Sequence, residues 1–155
     1  MRKCCLSVIL GMFLCQVASA GGLGSHATMY LGGTVPSLSE ETEGTSSTSD
    51  EKVFIFEYNG GKLAIPYDRI NEIEYGQKAG RRLGLAIVLS PAALLSKKRR
   101  HFLTINYLDG NDKQQAAVFE LGKDIVRVTL ASMQARTGRK IDFQDEEARK
   151  AGFGN

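Results

Sequence analysis

After position 15 the chain carries no cysteine, and its 155 residues hold only two histidines, His26 and His101. The first absence excludes a disulfide, a thiolate metal site and a cysteine nucleophile from everything beyond the N-terminal stretch that contains Cys4, Cys5 and Cys15. The second leaves any zinc or iron site to be completed by carboxylates, which nothing in the spacing supports. Long apolar runs are missing too. The run at residues 83–95 is interrupted by Ser90-Pro91 and falls well short of the ~20 residues that a membrane-crossing helix needs. Charge of one sign is also scarce: the net charge is +3, and Arg2 and Lys3 supply two of those charges, so electrostatic reasoning rests on local clusters.

What is present begins with MRKCCLSVILGMFLCQVASA, in which Arg2 and Lys3 precede an apolar stretch that ends in Ala18-Ser19-Ala20. These are the three parts of a secretory signal peptide, residues 1–20, with cleavage expected after Ala20. The expected destination is periplasmic or extracellular, and an uncleaved N-terminal anchor is the alternative. Lipidation at Cys15 is not expected, because Met12, Phe13 and Leu14 precede it instead of small residues.

Residues 21–52 read as a short strand near Met29 to Val35 followed by an acidic Ser/Thr-rich linker, PSLSEETEGTSSTSDEK, with too little apolar surface to order itself. VFIFEYNGGKLAIPY then alternates around Phe54, Phe56 and Tyr58, breaks at NGG and returns through Leu63 and Ile65, the pattern of a hairpin. DRINEIEYG is either a bent continuation of that hairpin or a third strand. HFLTINYLDGNDKQQAAVFEL gives a second hairpin around an Asp-Gly-Asn-Asp turn. GKDIVRVTLASMQARTG changes to a helical period, with Ile125, Val128, Ala131, Val126, Leu130 and Met133 as a broad apolar face and Gly138 as its stop. One core shared by Phe56, Ile105, Phe119 and Val128 is the expectation. RKIDF is a short closing strand at most, and residues 144–155 form a charged tail, locally helical or frayed.

The fold class expected is therefore α+β, mainly β: an antiparallel barrel or curved sheet capped by one C-terminal amphipathic helix, over residues 53–143. KLAIPYDRINEIEY, HFLTINYLDG and VFELGKDIVRVTLASMQARTG, in that order, resemble the pleckstrin-homology-like (PH-like) fold, especially its bacterial and GRAM-type members, across residues 30–143. The chain is also similar to a group of secreted bacterial proteins that share the strings GQKAGRR, SKKRRHFLT and FELGKD. The resemblance implies a module that binds lipid head groups, peptides or proteins, without enzymatic activity. Most lipid-binding relatives act in the cytosol, whereas this N-terminus reads as an export signal.

Short motifs add little. Gly22-Leu23-Gly24-Ser25-His26-Ala27 fits a dinucleotide fingerprint by letter but follows no strand, and Ser49-Asp50-Glu51-Lys52 matches S-x-x-K inside the acidic stretch without its companion motifs. No catalytic set, metal site or cofactor is expected.

The candidate contact surface is GRRLGLAIVLSPAALLSKKRRH, an apolar run flanked by basic clusters. As core, it would be a buried strand or short helix whose charged ends reach water. As a site, Leu85, Ile87 and Leu89 would enter an interface while Lys78, Arg81, Arg82, Lys97, Lys98, Arg99 and Arg100 meet anionic groups. The partner would be an anionic lipid surface or an envelope protein. A structural or assembly protein of the cell envelope, with the same segment as its oligomer interface, is the competing reading. Nucleic acid is not expected, because the basic cluster lacks interleaved stacking aromatics.

Overall fold

A computed structural model of the chain describes residues 23–24, 26–77 and 100–154. Its described part is mainly β: eight strands in one mixed sheet and two helices, α1 (Val126–Thr137) and α2 (Glu146–Phe153). The strands are β1 (Thr28–Gly33), β2 (Thr42–Ser47), β3 (Val53–Tyr58), β4 (Gly61–Pro66), β5 (Ile70–Gly76), β6 (His101–Leu108), β7 (Gln114–Leu121) and β8 (Ile141–Phe143). They lie in the order β4-β3-β2-β1-β7-β6-β5-β8, antiparallel throughout except for β5 with β8.

Both expected hairpins form. Asn59 and Gly60 turn β3 into β4, with Gly60 at φ 107°, and Phe54 pairs with Ile65. In the second hairpin Leu103 faces Phe119 and Ile105 faces Ala117. DRINEIEYG is a separate strand, β5, preceded by a 3-10 turn at Tyr67–Arg69.

That turn fixes the curvature. Six inter-strand steps separate β4 from β5 in the sheet order, roughly 29 Å if flat at ~4.8 Å per step. The turn joining them has only three residues, each rising ~2 Å. The sheet must therefore curl until its β4 side approaches β5, although those two strands do not pair and the sheet stays open. The concave side holds the main core. Phe119 sits at its centre, with ring centroids of Phe56, Phe54 and Tyr30 at 5.2, 5.5 and 5.7 Å. Val126, Leu130 and Met133 of α1 and Ala148 of α2 join the same cluster.

Two expectations are corrected. Val128 is 58 % exposed and is not core, and Ala131 is exposed too. The buried line of α1 is Val126, Thr129, Leu130 and Met133, the i, i+3, i+4, i+7 set of a single helix face. The stretch expected to be a linker contains β2, paired with both β1 and β3. Its neighbours supply the apolar side chains, so β2 contributes mainly backbone hydrogen bonds, together with a 2.7 Å bond between the Thr28 and Ser46 hydroxyls. The tail, expected to be locally helical or frayed, is helical over Glu146–Phe153 and packed. Asp145 caps α2 by accepting from the Ala148 amide at 2.7 Å, and Phe153 meets Phe143 edge-on at 5.4 Å.

Candidate functional site

Of the candidate contact residues, Arg100 lies among the described ones. Lys78, Arg81, Arg82, Leu85, Ile87, Leu89, Lys97, Lys98 and Arg99 lie outside them. The structure describes the root from which residues 78–99 depart and to which they return. Gly76 at the end of β5 is paired with Phe102 near the start of β6, so both ends of the connection spring from neighbouring, hydrogen-bonded strands.

Four side chains organise that root. Strand alternation sends Tyr75 and His101 to the concave side, where their rings stack at 6.1 Å with an interplanar angle of 18°. The Tyr75 hydroxyl and His101 Nδ1 share a 2.5 Å hydrogen bond. Burial pushes the Tyr75 hydroxyl pKa well up and holds the His101 imidazole below its ordinary value, because each loses water that would solvate its charged form.

The convex side carries the second pair. Glu120 is 5 % exposed on β7, and Arg100 Nη1 donates to its Oε2 at 2.8 Å. Burial raises the Glu120 carboxyl pKa, while the charge and hydrogen bond of Arg100 pull the other way; the net shift is upward, so desolvation outweighs the arginine. Arg100, the last basic residue of the candidate cluster, is thus committed to an internal acid. Sequence reasoning missed Glu120, Tyr75 and His101 as partners. The only available signal for Glu120 was its place between Phe119 and Leu121 in FEL, which reads as an ordinary outward-facing position.

On the β6–β7 turn the polar groups are tied to each other. Arg69 Nη2 donates to the Asp109 carbonyl at 2.6 Å and to Asp112 Oδ1 at 2.5 Å, and Asn71 Nδ2 donates to Gln114 Oε1 at 2.6 Å. Asp109 accepts from the amides of Asn111 and Lys113, which lowers its carboxyl pKa. Tyr67 is 4 % exposed, its hydroxyl has no hydrogen-bond partner among the described residues, and the Arg136 guanidinium carbon lies 5.7 Å from its ring centroid. Among the described residues no three His, Cys, Asp or Glu side chains come together as metal ligands, and no helix is long and apolar enough to cross a membrane.

The fold and root define a curved, open, mostly antiparallel mixed sheet with a helix over its concave side, and residues 78–99, basic at both ends, joining the ends of β5 and β6. Neither the models of protein families nor the curated proteins contain a match to this chain.

Proposed function

We propose that the chain is an exported, non-catalytic binding module of PH-like type that meets an anionic lipid surface through the basic residues flanking 83–95. Support for the PH-like reading comes from the curled, mostly antiparallel sheet with α1 against its concave core. The observation that carries the contact is local. Lys78, Arg81, Arg82, Lys97, Lys98 and Arg99 all belong to a single connection whose ends are anchored side by side at Gly76 and Phe102. Six cations on one tethered segment act together on a charged surface. Each contributes on the order of 1 kcal/mol near anionic lipid, and the contribution falls off within a Debye length.

Vesicle sedimentation tests this. Lys97, Lys98 and Arg99 are changed together to glutamine, and Arg100 is spared because Glu120 depends on it. At low salt the triple variant should bind anionic vesicles roughly 100-fold more weakly, the equivalent of ~3 kcal/mol. The deficit should shrink as salt rises, and binding to zwitterionic vesicles should be negligible for both proteins. Equal binding by wild type and variant sinks the lipid reading. A concentration-dependent oligomer by light scattering that ignores vesicles would favour the envelope-assembly reading.

A further inference from the structure

Among the described residues, four buried apolar side chains stand apart from the main core: Leu31 (1 % exposed), Phe102 (6 %), Ala116 (0 %) and Val118 (2 %). They share one surface. Register pairs Phe102 with Glu120, Thr104 with Val118 and Asn106 with Ala116, alternating with the inward pairs Leu103–Phe119 and Ile105–Ala117. Leu31 sits at the β1 bulge beside Gly32, which pairs with Val118. Together with Thr104 and Glu120, also buried, they make a continuous patch on the convex face of β1, β7 and β6.

A convex face normally meets water and alternates polar with apolar residues. That holds on the other half of this sheet, where Glu57, Lys62 and Ala64 are exposed. It fails on β7, which is buried without interruption from Ala116 to Leu121. The buried apolar side chains of both helices and of the β1–β2 connection, including Val35 and Leu38, belong to the concave cluster. Gln144 lies against Gly76 at the edge of the convex patch. The convex patch therefore needs an apolar cover that the concave layer does not supply.

We infer that this convex face is the docking surface for the chain's own apolar run, residues 83–95. Three observations select that occupant. The connection 78–99 begins and ends beside Phe102, on the first row of the patch. Its composition, LGLAIVLSPAALL, suits a surface of Leu31, Val118 and Phe102. Charge matches as well: Glu72, Glu74 and Glu120 lie on the convex side of β5 and β7, the run is bordered by basic residues, and Arg100 already pairs with Glu120. Docked in this way, the run forms a second small core, and any contact with an anionic surface is made by its basic flanks alone. The inference stands independently of the lipid reading, because its test contains no lipid.

Cysteine chemistry decides it, in a full chain with Cys4, Cys5 and Cys15 changed to serine. A single reporter, Val118→Cys, is labelled with a thiol reagent beside a concave-core control, Leu103→Cys. Both should label slowly. Replacing 83–95 by a glycine-serine stretch of equal length should speed labelling at position 118 at least tenfold and leave position 103 slow. Fast labelling at 118 in the otherwise intact chain, or no acceleration on replacement, overturns the inference. If the replacement also exposes position 103, the intact run decides by dilute oxidation. Leu85→Cys, Ile87→Cys and Leu89→Cys are each paired with Val118→Cys, and with Lys62→Cys on β4 as control. An intrachain disulfide to 118 and none to 62 supports the docking. A disulfide joining two chains gives the face to a second copy and overturns it, as does the absence of any disulfide to 118.

Discussion

Tyr75 and His101 are diagonal neighbours on the β5–β6 pair, their rings stacked at 6.1 Å and sharing a 2.5 Å hydrogen bond, at the ends of the strands that flank residues 78–99. With the imidazole neutral, the hydroxyl can donate to the Nδ1 lone pair. Protonation removes that lone pair and adds a charge where burial disfavours one. The root of the basic segment is therefore expected to weaken as His101 protonates.

The sign of that sensitivity follows from linkage. Burial depresses the folded-state pKa of His101, so its contribution is fully present above the unfolded value, near 6.5, and is lost as pH falls through the folded value. Chemical denaturation between pH 8 and pH 5 should show stability declining below about pH 6.5. The decline should be smaller in His101→Gln, which cannot titrate. Parallel profiles for the two proteins would remove His101 as the cause.

Glu120 works in the opposite sense. Its folded pKa is raised, so it stabilises at acid pH and loses that contribution as pH rises through the folded value, where the buried carboxylate leans on Arg100. Arg100→Met should cost ~2–3 kcal/mol at pH 7 by leaving that carboxylate without its hydrogen-bonded cation. The loss should shrink at pH 4, and Glu120→Gln in the same background should restore part of it at neutral pH. A cost that does not vary with pH would mean that the arginine acts through packing.

Phe119 and Val128 test the core directly. Phe119 is fully buried among Tyr30, Phe54 and Phe56, so Phe119→Ala should cost ~3–5 kcal/mol in urea denaturation. Val128 is exposed, so Val128→Ala should stay within ~0.5 kcal/mol of wild type. A large loss at Val128 would mean that α1 is rotated about its axis relative to the face described.

Much of this architecture was legible wherever a strand carried its own apolar face. Phe54 and Phe56, Leu103 and Ile105, and Ala117 and Phe119 point inward as their alternation requires. Reading failed where burial came from elsewhere. TEGTSS has no apolar residue to mark it, and becomes β2 because β1 and β3 offer it backbone partners on both sides. Val128 is apolar and sits in a helical run, but it lies off the single face that Val126, Thr129, Leu130 and Met133 define. At the candidate site the basic clusters were visible, but the commitment of Arg100 to Glu120 was not. That pairing joins residues 20 positions apart and depends on a register that composition does not reveal.

The least legible strand supplies the last prediction. A Cβ built on Gly44 in β2 would lie 2.1 Å from the Glu57 carbonyl oxygen and 2.9 Å from the Phe56 ring. The first of these neighbours is backbone in a paired strand, held by the Gly44–Tyr58 and Thr45–Glu57 register, and cannot swing aside as a flexible side chain would. Gly44→Ala must therefore shift β2 away from β3 or displace Phe56 from its contact with Phe119, costing ~1–3 kcal/mol as overpacking does. Thr45→Ala, one residue along and exposed, removes no core contact and should change stability by less than ~0.5 kcal/mol. Thermal melts of the two variants side by side make the comparison. Equal melting temperatures would mean that β2 is only loosely held against β3, and that residues 36–52 behave in solution as the linker their composition suggests.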